Sequence, residues 1–342
     1  MAPADARLPG PESNPYQVDG CLAMKLAVTI DVEEEGLFTG SYSPNDASAE
    51  NVSLLSRLDP IFRDFGVRPT LLVSYQAART GKLRDYLAEL NEKWGGEIGA
   101  HLHHWNTPPL WESPLRPPTP SELMPRELLA EKMETLLDLL AQMGRRPTSF
   151  RMGRYNLGPK MFSVLETSGI TVDSSISPTR RAYAGPDHLS APTDPYYPDP
   201  LRPTRPGQSK ILEVPITVLP AAPGQGRILE LFGGHDGFLG RQASWISKNL
   251  GSIPAQPVWT GLRRMQTAAR LHRLRGGRMI TIFFHSSELL PGASPNLPNQ
   301  AAVDALLLKI SLFLEFLVVK MNAASLALSD LPNLFPRPAA AG

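Results

Sequence analysis

A single cysteine, Cys21, stands in 342 residues. It excludes an internal disulfide framework and any cysteine-rich zinc site, and it fits a reducing compartment. Neither sign of charge dominates: 34 Lys and Arg face 33 Asp and Glu. That balance leaves no electrostatic footprint for nucleic acid or an anionic membrane. Long apolar runs are missing too. The longest, from Ile310 to Val319, is interrupted by Glu315 and is too short to span a bilayer. The first 23 residues are proline-rich and lack the apolar centre of a secretory signal. They are expected to be a disordered leader, or the product of a start assigned too far upstream. No internal repeat is found. The expectation is a soluble, cytoplasmic protein.

What is present is an ordinary globular balance, 42% apolar and 20% charged residues. Strand-like and helix-like segments alternate along it. Lys25–Ile30, Arg68–Ser74, Glu97–Ala100, Thr148–Arg151, Thr171–Ser175, Ile211–Leu219 and Met279–Phe284 read as strands, with Ser325–Ser329 as a closing one. Val52–Phe65, Leu83–Trp94, Glu122–Met143, Lys160–Ser168 and Ala301–Asn322 carry helical periodicity. Such alternation predicts a parallel α/β architecture, and one α/β barrel of this size is common. Residues 178–206 hold eight prolines and are expected to form a long ordered loop without regular elements. Residues 178–270 as a whole read as variable inserts, and 332–342 as a disordered tail.

Polar residues fall where the strands end. Asp31, His101, Arg151, Asp173 and His285 each lie at or just past the C-terminal end of a predicted strand. In a parallel barrel those ends share one face, which is where active sites are built. Asp31 and Glu33 are two apart and point the same way in extended chain, which suits one metal-binding carboxylate and one base. Glu34 and Glu35 read as surface charges.

Three of the seven histidines crowd into His101, His103 and His104. In extended backbone His101 and His103 project to one side while Leu102 turns into the wall, so they make the natural ligand pair. Two imidazoles and a carboxylate with an open position suit Zn²⁺ or a similar ion. His285 ends a wholly apolar strand, where burial and neighbouring charge can tune it for proton transfer. Arg151 needs a partner, and Asp31 is the candidate. His188, His235 and His272 receive no role.

Five blocks in this order resemble the polysaccharide deacetylase family (NodB homology, carbohydrate esterase family 4): VTIDVEE (28–34), GAHLHHW (99–105), SFRMGRYNLGP (149–159), TVDSSIS (171–177) and IFFHSSELLPGASP (282–295). Val32 follows Asp31 where the usual first motif has a second aspartate. The second histidine also comes sooner than usual, as His103 or His104. Both features resemble a variant branch with D-x-E and H-x-H motifs.

The resemblance spans roughly residues 25–331 and implies a distorted (β/α)₇-type barrel in a single domain, 24–331. It also implies metal-dependent removal of an N-acetyl group from an amino-sugar saccharide or glycoside precursor. One divalent metal, Zn foremost with Co, Mn or Ni as alternatives, would be held by Glu33, His101 and His103. Asp31 would be the base, held by Arg151, and His285 the acid. The Tyr155 N–H would stabilise the oxyanion, and Asp173 would orient His285 or shape the pocket. Trp105 and Trp111 would stack on the sugar, as the pair Tyr196–Tyr197 could. The rival expectations are hydrolysis of another C–N amide, cyclic or ureide, on the same barrel, or a degenerate saccharide-binding protein. A two-metal phosphoesterase ranks last, for want of carboxylate ligands.

Overall fold

The computed structural model describes residues 23–40, 47–112, 119–180, 187–228 and 251–337. The stretch 1–22, His235 and the last five residues lie outside them.

Strand β1 (Lys25–Val32) is buried from its second residue onward. An alternating strand would show every other side chain to water; this one is covered on both faces, as parallel strands sheathed by helices are. The same holds for β2 (Thr70–Val73), which follows α1 (Asp59–Phe65). A short α2 (Tyr75–Ala78) and α3 (Gly81–Trp94) lead to β3 (Glu97–Leu102). Helix α4 (Arg126–Ala141) buries Leu129, Met133, Leu136, Leu137 and Leu140 at helical spacing. Then come β4 (Ser149–Met152), α5 (Pro159–Leu165) and β5 (Val172–Asp173).

The proline-rich segment is not wholly irregular. β6 (Pro198–Asp199) and β7 (Arg202–Pro206) pair antiparallel within it. Proline fits such an isolated two-stranded edge because not every N–H is needed there. β8 (Leu212–Glu213), β9 (Val218–Pro220) and β10 (Ser252–Pro254) follow, and then α6 (Leu262–Leu274), β11 (Met279–His285), α7 (Gln300–Glu315) and β12 (Ala324–Ser325). Beyond residue 331 the chain is still packed: Phe335 is buried and its carbonyl accepts the Tyr197 hydroxyl at 2.8 Å.

The main sheet runs β11-β1-β2-β3-β4-β5-β8, parallel throughout, with β12 joining the start of β1. These seven strands curl into a half-barrel wrapped by helices, a distorted (β/α)₇ barrel. Its open seam, between β8 and β11, is closed by one backbone hydrogen bond and by side chains rather than by a ladder. Thr217 N–H donates to the Thr281 carbonyl at 2.9 Å, and Thr281 N–H returns to the Thr217 hydroxyl at 2.8 Å. The buried amide of Gln256 spans the rest. Its nitrogen donates to the carbonyls of Thr217 (3.1 Å) and Thr281 (3.3 Å), and its oxygen accepts Phe283 N–H at 2.8 Å. Among the described residues no helix is long and apolar enough to cross a membrane.

Candidate active site

Register places the site. Asp31 pairs with His285 across β1 and β11, and His101 with Arg151 across β3 and β4. Neighbours in register on parallel strands point the same way, so all four side chains gather at the C-terminal mouth.

Arg151 plugs the barrel beneath that mouth. It is fully buried and donates to Asp31 Oδ1 (2.6 Å), Thr29 Oγ1 (2.9 Å), Ser174 Oγ (2.8 Å) and the Ser174 carbonyl (2.8 Å). One carboxylate oxygen of Asp31 is thereby committed. The other, Oδ2, faces the cleft, 3.8 Å from His285 Nε2 and 4.0 Å from His101 Nε2.

Both histidines of the H-x-H pair are held by their Nδ1 atoms. His101 Nδ1 lies 3.0 Å from the Arg151 carbonyl, which can only accept, so Nδ1 carries the proton. His103 Nδ1 lies 2.9 Å from Glu34 Oε1. Each Nε2 is left to converge on Glu33 Oε2, at 3.6 Å from His101 and 3.3 Å from His103. Ligands about 2.1 Å from a tetrahedral ion lie roughly 3.4 Å apart, so this trio fits one. Glu33, His101 and His103 are all buried, with their ligand atoms within 4.8 Å of one another. With Asp31, Glu34 and Glu288 beside Glu33, four buried carboxylates face one buried guanidinium, that of Arg151. That excess of negative charge is the environment a cation would compensate.

With protons alone in the site, burial disfavours a charged His103, but Glu34 and Glu33 outweigh it and raise its pKa to about 10. Burial would raise Glu33, yet His285, His101 and His103 push it well below the usual carboxylate range. Gly153 is required by this packing. A Cβ there would fall 2.7 Å from the His103 ring and 2.9 Å from the Leu102 carbonyl.

Glu34 is a correction to the sequence reading. It is no surface charge but is buried behind His103, accepting Asn106 Nδ2 at 2.6 Å and Ser74 Oγ at 3.2 Å. The strand ends at Val32, and the chain then turns, so strict alternation no longer sends Glu34 outward. His104 points elsewhere, its Nε2 donating to the Thr119 carbonyl; burial lowers its pKa to about 4 and keeps it neutral.

Asp173 does not reach His285. It lies beside Glu213, its in-register neighbour, and accepts from Ser175 Oγ at 2.5 Å. Burial raises the pKa of both carboxyls, Glu213 far more, where the neighbouring Asp173 charge adds to it. Together they fix the 174–176 turn that delivers Ser174 to Arg151. The group that holds His285 is Glu288, which accepts its backbone N–H at 2.8 Å and faces Nδ1 at 3.2 Å. The signal was an acid three residues after the histidine, in HSSE. Ser286 was missed as well; its hydroxyl accepts Glu33 N–H at 3.1 Å and so ties β11 to the end of β1.

A cleft of about 210 Å³ opens over these groups, lined also by Phe38, Trp105 and Tyr155. Trp105 stacks on His103 at 4.3 Å. Trp111 is not brought to the cleft; it packs half-buried against the core. Tyr196 and Tyr197 bind the backbone carbonyls of Pro203 and Phe335 and are structural. His188 accepts Ser177 N–H and His272 pairs with Asp194, both away from the cleft.

No family model matches this chain. No curated protein matches it either. Solved structures do. A protein assigned as a polysaccharide deacetylase from Mycobacterium smegmatis is 16% identical with a TM-score of 0.52, covering 99% of each chain. A 4-alpha-glucanotransferase from Thermococcus litoralis is 10% identical with a TM-score of 0.50, covering 92% of this chain and 41% of its own. One barrel thus carries two named activities, and function must be argued from the site. At these identities the likeness establishes the fold, a barrel of the polysaccharide deacetylase type.

Proposed function

We propose that this chain is a metal-dependent hydrolase that removes an N-acetyl group from an amino-sugar-containing saccharide or glycoside precursor. One observation carries the reading. Asp31, with one oxygen held by Arg151, and His285, held by Glu288, flank a Glu33–His101–His103 trio whose ligand atoms converge. A base 3.8 Å from an acid and 4.0 Å from a metal-site imidazole is what amide hydrolysis needs.

A divalent ion held by Glu33, His101 and His103 supplies Lewis acidity, polarising the amide carbonyl and lowering the pKa of water. Asp31 Oδ2 takes a proton from the water as its oxygen bonds to the acetyl carbon. The Tyr155 N–H, at the lip of the cleft, donates to the oxyanion that forms. As the C–N bond breaks, His285 Nε2 gives its proton to the leaving nitrogen, yielding acetate and a free amine. Burial opposes the imidazolium, but Glu33 and Glu288 outweigh it and raise the pKa of His285 to about 9, so the acid is charged at neutrality. Trp105 supplies an aromatic wall for the sugar.

The test is elemental analysis of protein purified without added metal, alongside acetate release from acetylated amino sugars. About one ion per chain is expected, lost in His101→Ala and His103→Ala. His285→Ala should keep the ion and lose turnover by at least about a hundredfold. No ion after reconstitution would sink the mechanism.

A further inference from the structure

At about 210 Å³ the cleft is smaller than the ~300–1,000 Å³ typical of sites that enclose a whole ligand. Much of an amino-sugar substrate must therefore lie along its rim. To one side of His285 a chain of aromatic rings leads from the cleft to the surface. Phe283 meets the His285 ring at 5.4 Å, Tyr155 at 5.7 Å and Trp259 at 5.1 Å, always edge to face. Trp259 is 39% exposed, and the guanidinium of Arg180 lies over its ring at 4.4 Å.

Arg180 differs from the other buried or half-buried cations nearby. Arg151 has Asp31, Lys132 has the Thr107 and Pro109 carbonyls, and Lys309 has the Pro257 carbonyl. Among the described residues no carboxylate or carbonyl accepts from the Arg180 side chain; its charge rests against the Trp259 face and acts on the Tyr155 phenol. Burial pulls its pKa down, with only Tyr155 pulling the other way. The Tyr155 hydroxyl is itself buried and has no hydrogen-bond partner among the described residues.

The backbone is strained on both sides of this pair. Arg154 and Tyr155 have φ of 60° and 57°, and Thr179, a β-branched residue, has 65°. Three of the four non-glycine residues with positive φ among those described thus sit here. Such strain, of order 1–3 kcal/mol each, persists where a side chain must be aimed. Thr179 is locked by its N–H to the His188 carbonyl, and His188 N–H returns to the Arg180 carbonyl.

We propose that Arg180, stacked on Trp259 beside the Tyr155 hydroxyl, is an anion subsite, and that the substrate carries a phosphate or carboxylate beyond its acetamide. This rests on the deacetylase reading for the acetamide alone. A guanidinium fork fixed on an aromatic face is preorganised for either group, and an anion there offsets the desolvation of a charge that has no carboxylate partner among the described residues. Arg180 is not among the residues that line the cleft around His285, so its role is to select and position.

Calorimetric titration of the metal-loaded protein with N-acetylglucosamine, N-acetylglucosamine 1-phosphate and N-acetylmuramic acid tests this, repeated with Arg180→Gln and Arg180→Lys. At least a tenfold preference for one anionic probe over the neutral sugar is expected, and which anion wins identifies the source. Arg180→Gln should bring the ratio to within about twofold, while Arg180→Lys, with charge but no fork, keeps part of it. Equal melting temperatures certify the folds. No preference in the parent, absence of binding included, or a preference surviving in Arg180→Gln overturns the subsite. The titrations are run in a His285→Ala background, which keeps the ion without turnover, and acetate release is assayed separately with His285 intact, so the two readings fail separately. Arg180-dependent preference without acetate release keeps the subsite and sinks the deacetylase. Acetate released equally from neutral and acidic sugars does the reverse.

Discussion

His285 is a histidine whose proton is held by carboxylates on two sides. Glu288 Oε2 faces Nδ1, and Asp31 Oδ2 lies 3.8 Å from Nε2. Burial alone would make the ring a weak base; Glu33 and Glu288 reverse that and bring its pKa to about 9. The sign follows. A histidine whose folded pKa is raised contributes stability fully present below its unfolded value near 6.5 and lost as pH rises through 9. Turnover that needs the imidazolium fails over the same upper range. Glu288→Gln keeps the shape but removes one charge, so the alkaline limb of the pH–rate profile should move to lower pH by about one to three units. A profile recorded by acetate release from pH 6 to 10 decides it. An unmoved limb would mean that Glu288 only orients the ring.

The elements answer to a different weakness, the seam between β8 and β11. His285 ends β11, so whatever holds that strand in place also holds the proposed acid. Gln256 contributes three hydrogen bonds to backbone groups of both sides, in a place with almost no access to water. Each orphaned group costs about 1–3 kcal/mol. Gln256→Leu, similar in volume, should destabilise by about 2–4 kcal/mol after relaxation, read as a lower urea midpoint with an unchanged slope. A loss under about 0.5 kcal/mol would show that Thr217 and Thr281 close the seam unaided. This seam was not legible in the sequence, because a side-chain amide standing in for a ladder has no period. The strands were: LAVTI and MITIFF are apolar on both faces, and only a covered parallel strand tolerates that. Helix ends were legible only to the nearest breaker. The helix expected from Glu122 starts at Arg126, after Pro125.

At the scale of the whole molecule, the fold brings residues from 31 to 288 to one mouth, and the sequence showed which ones by where the strands stop. Asp31, Glu33, His101, His103, Arg151 and His285 were readable for that reason. Glu34 and Glu288 were not, since each leaves a strand through a turn whose direction depends on tertiary packing. Those two hidden carboxylates change what the site does with protons. Burial should strip His103 of its second proton, but Glu34 and Glu33 outweigh it and hold its pKa near 10. At neutral pH an ion must therefore displace a proton from Nε2 before it can bind. Metal binding is expected to release about one proton per ion near pH 7.5, and affinity should rise close to tenfold per pH unit below that pKa. Titration calorimetry with Zn²⁺ in buffers of different ionisation enthalpy counts the protons directly. Glu34→Gln lowers the pKa of His103, so it should reduce the count and flatten the pH dependence. No proton release in the parent would mean that His103 is already neutral, and that Glu34 acts only as an acceptor. Ion binding to the native state alone also stabilises it, by about 2.7 kcal/mol at a hundredfold excess over Kd. Chelation should then lower the melting temperature of the parent but not of His101→Ala, which ties the proton count to the same site.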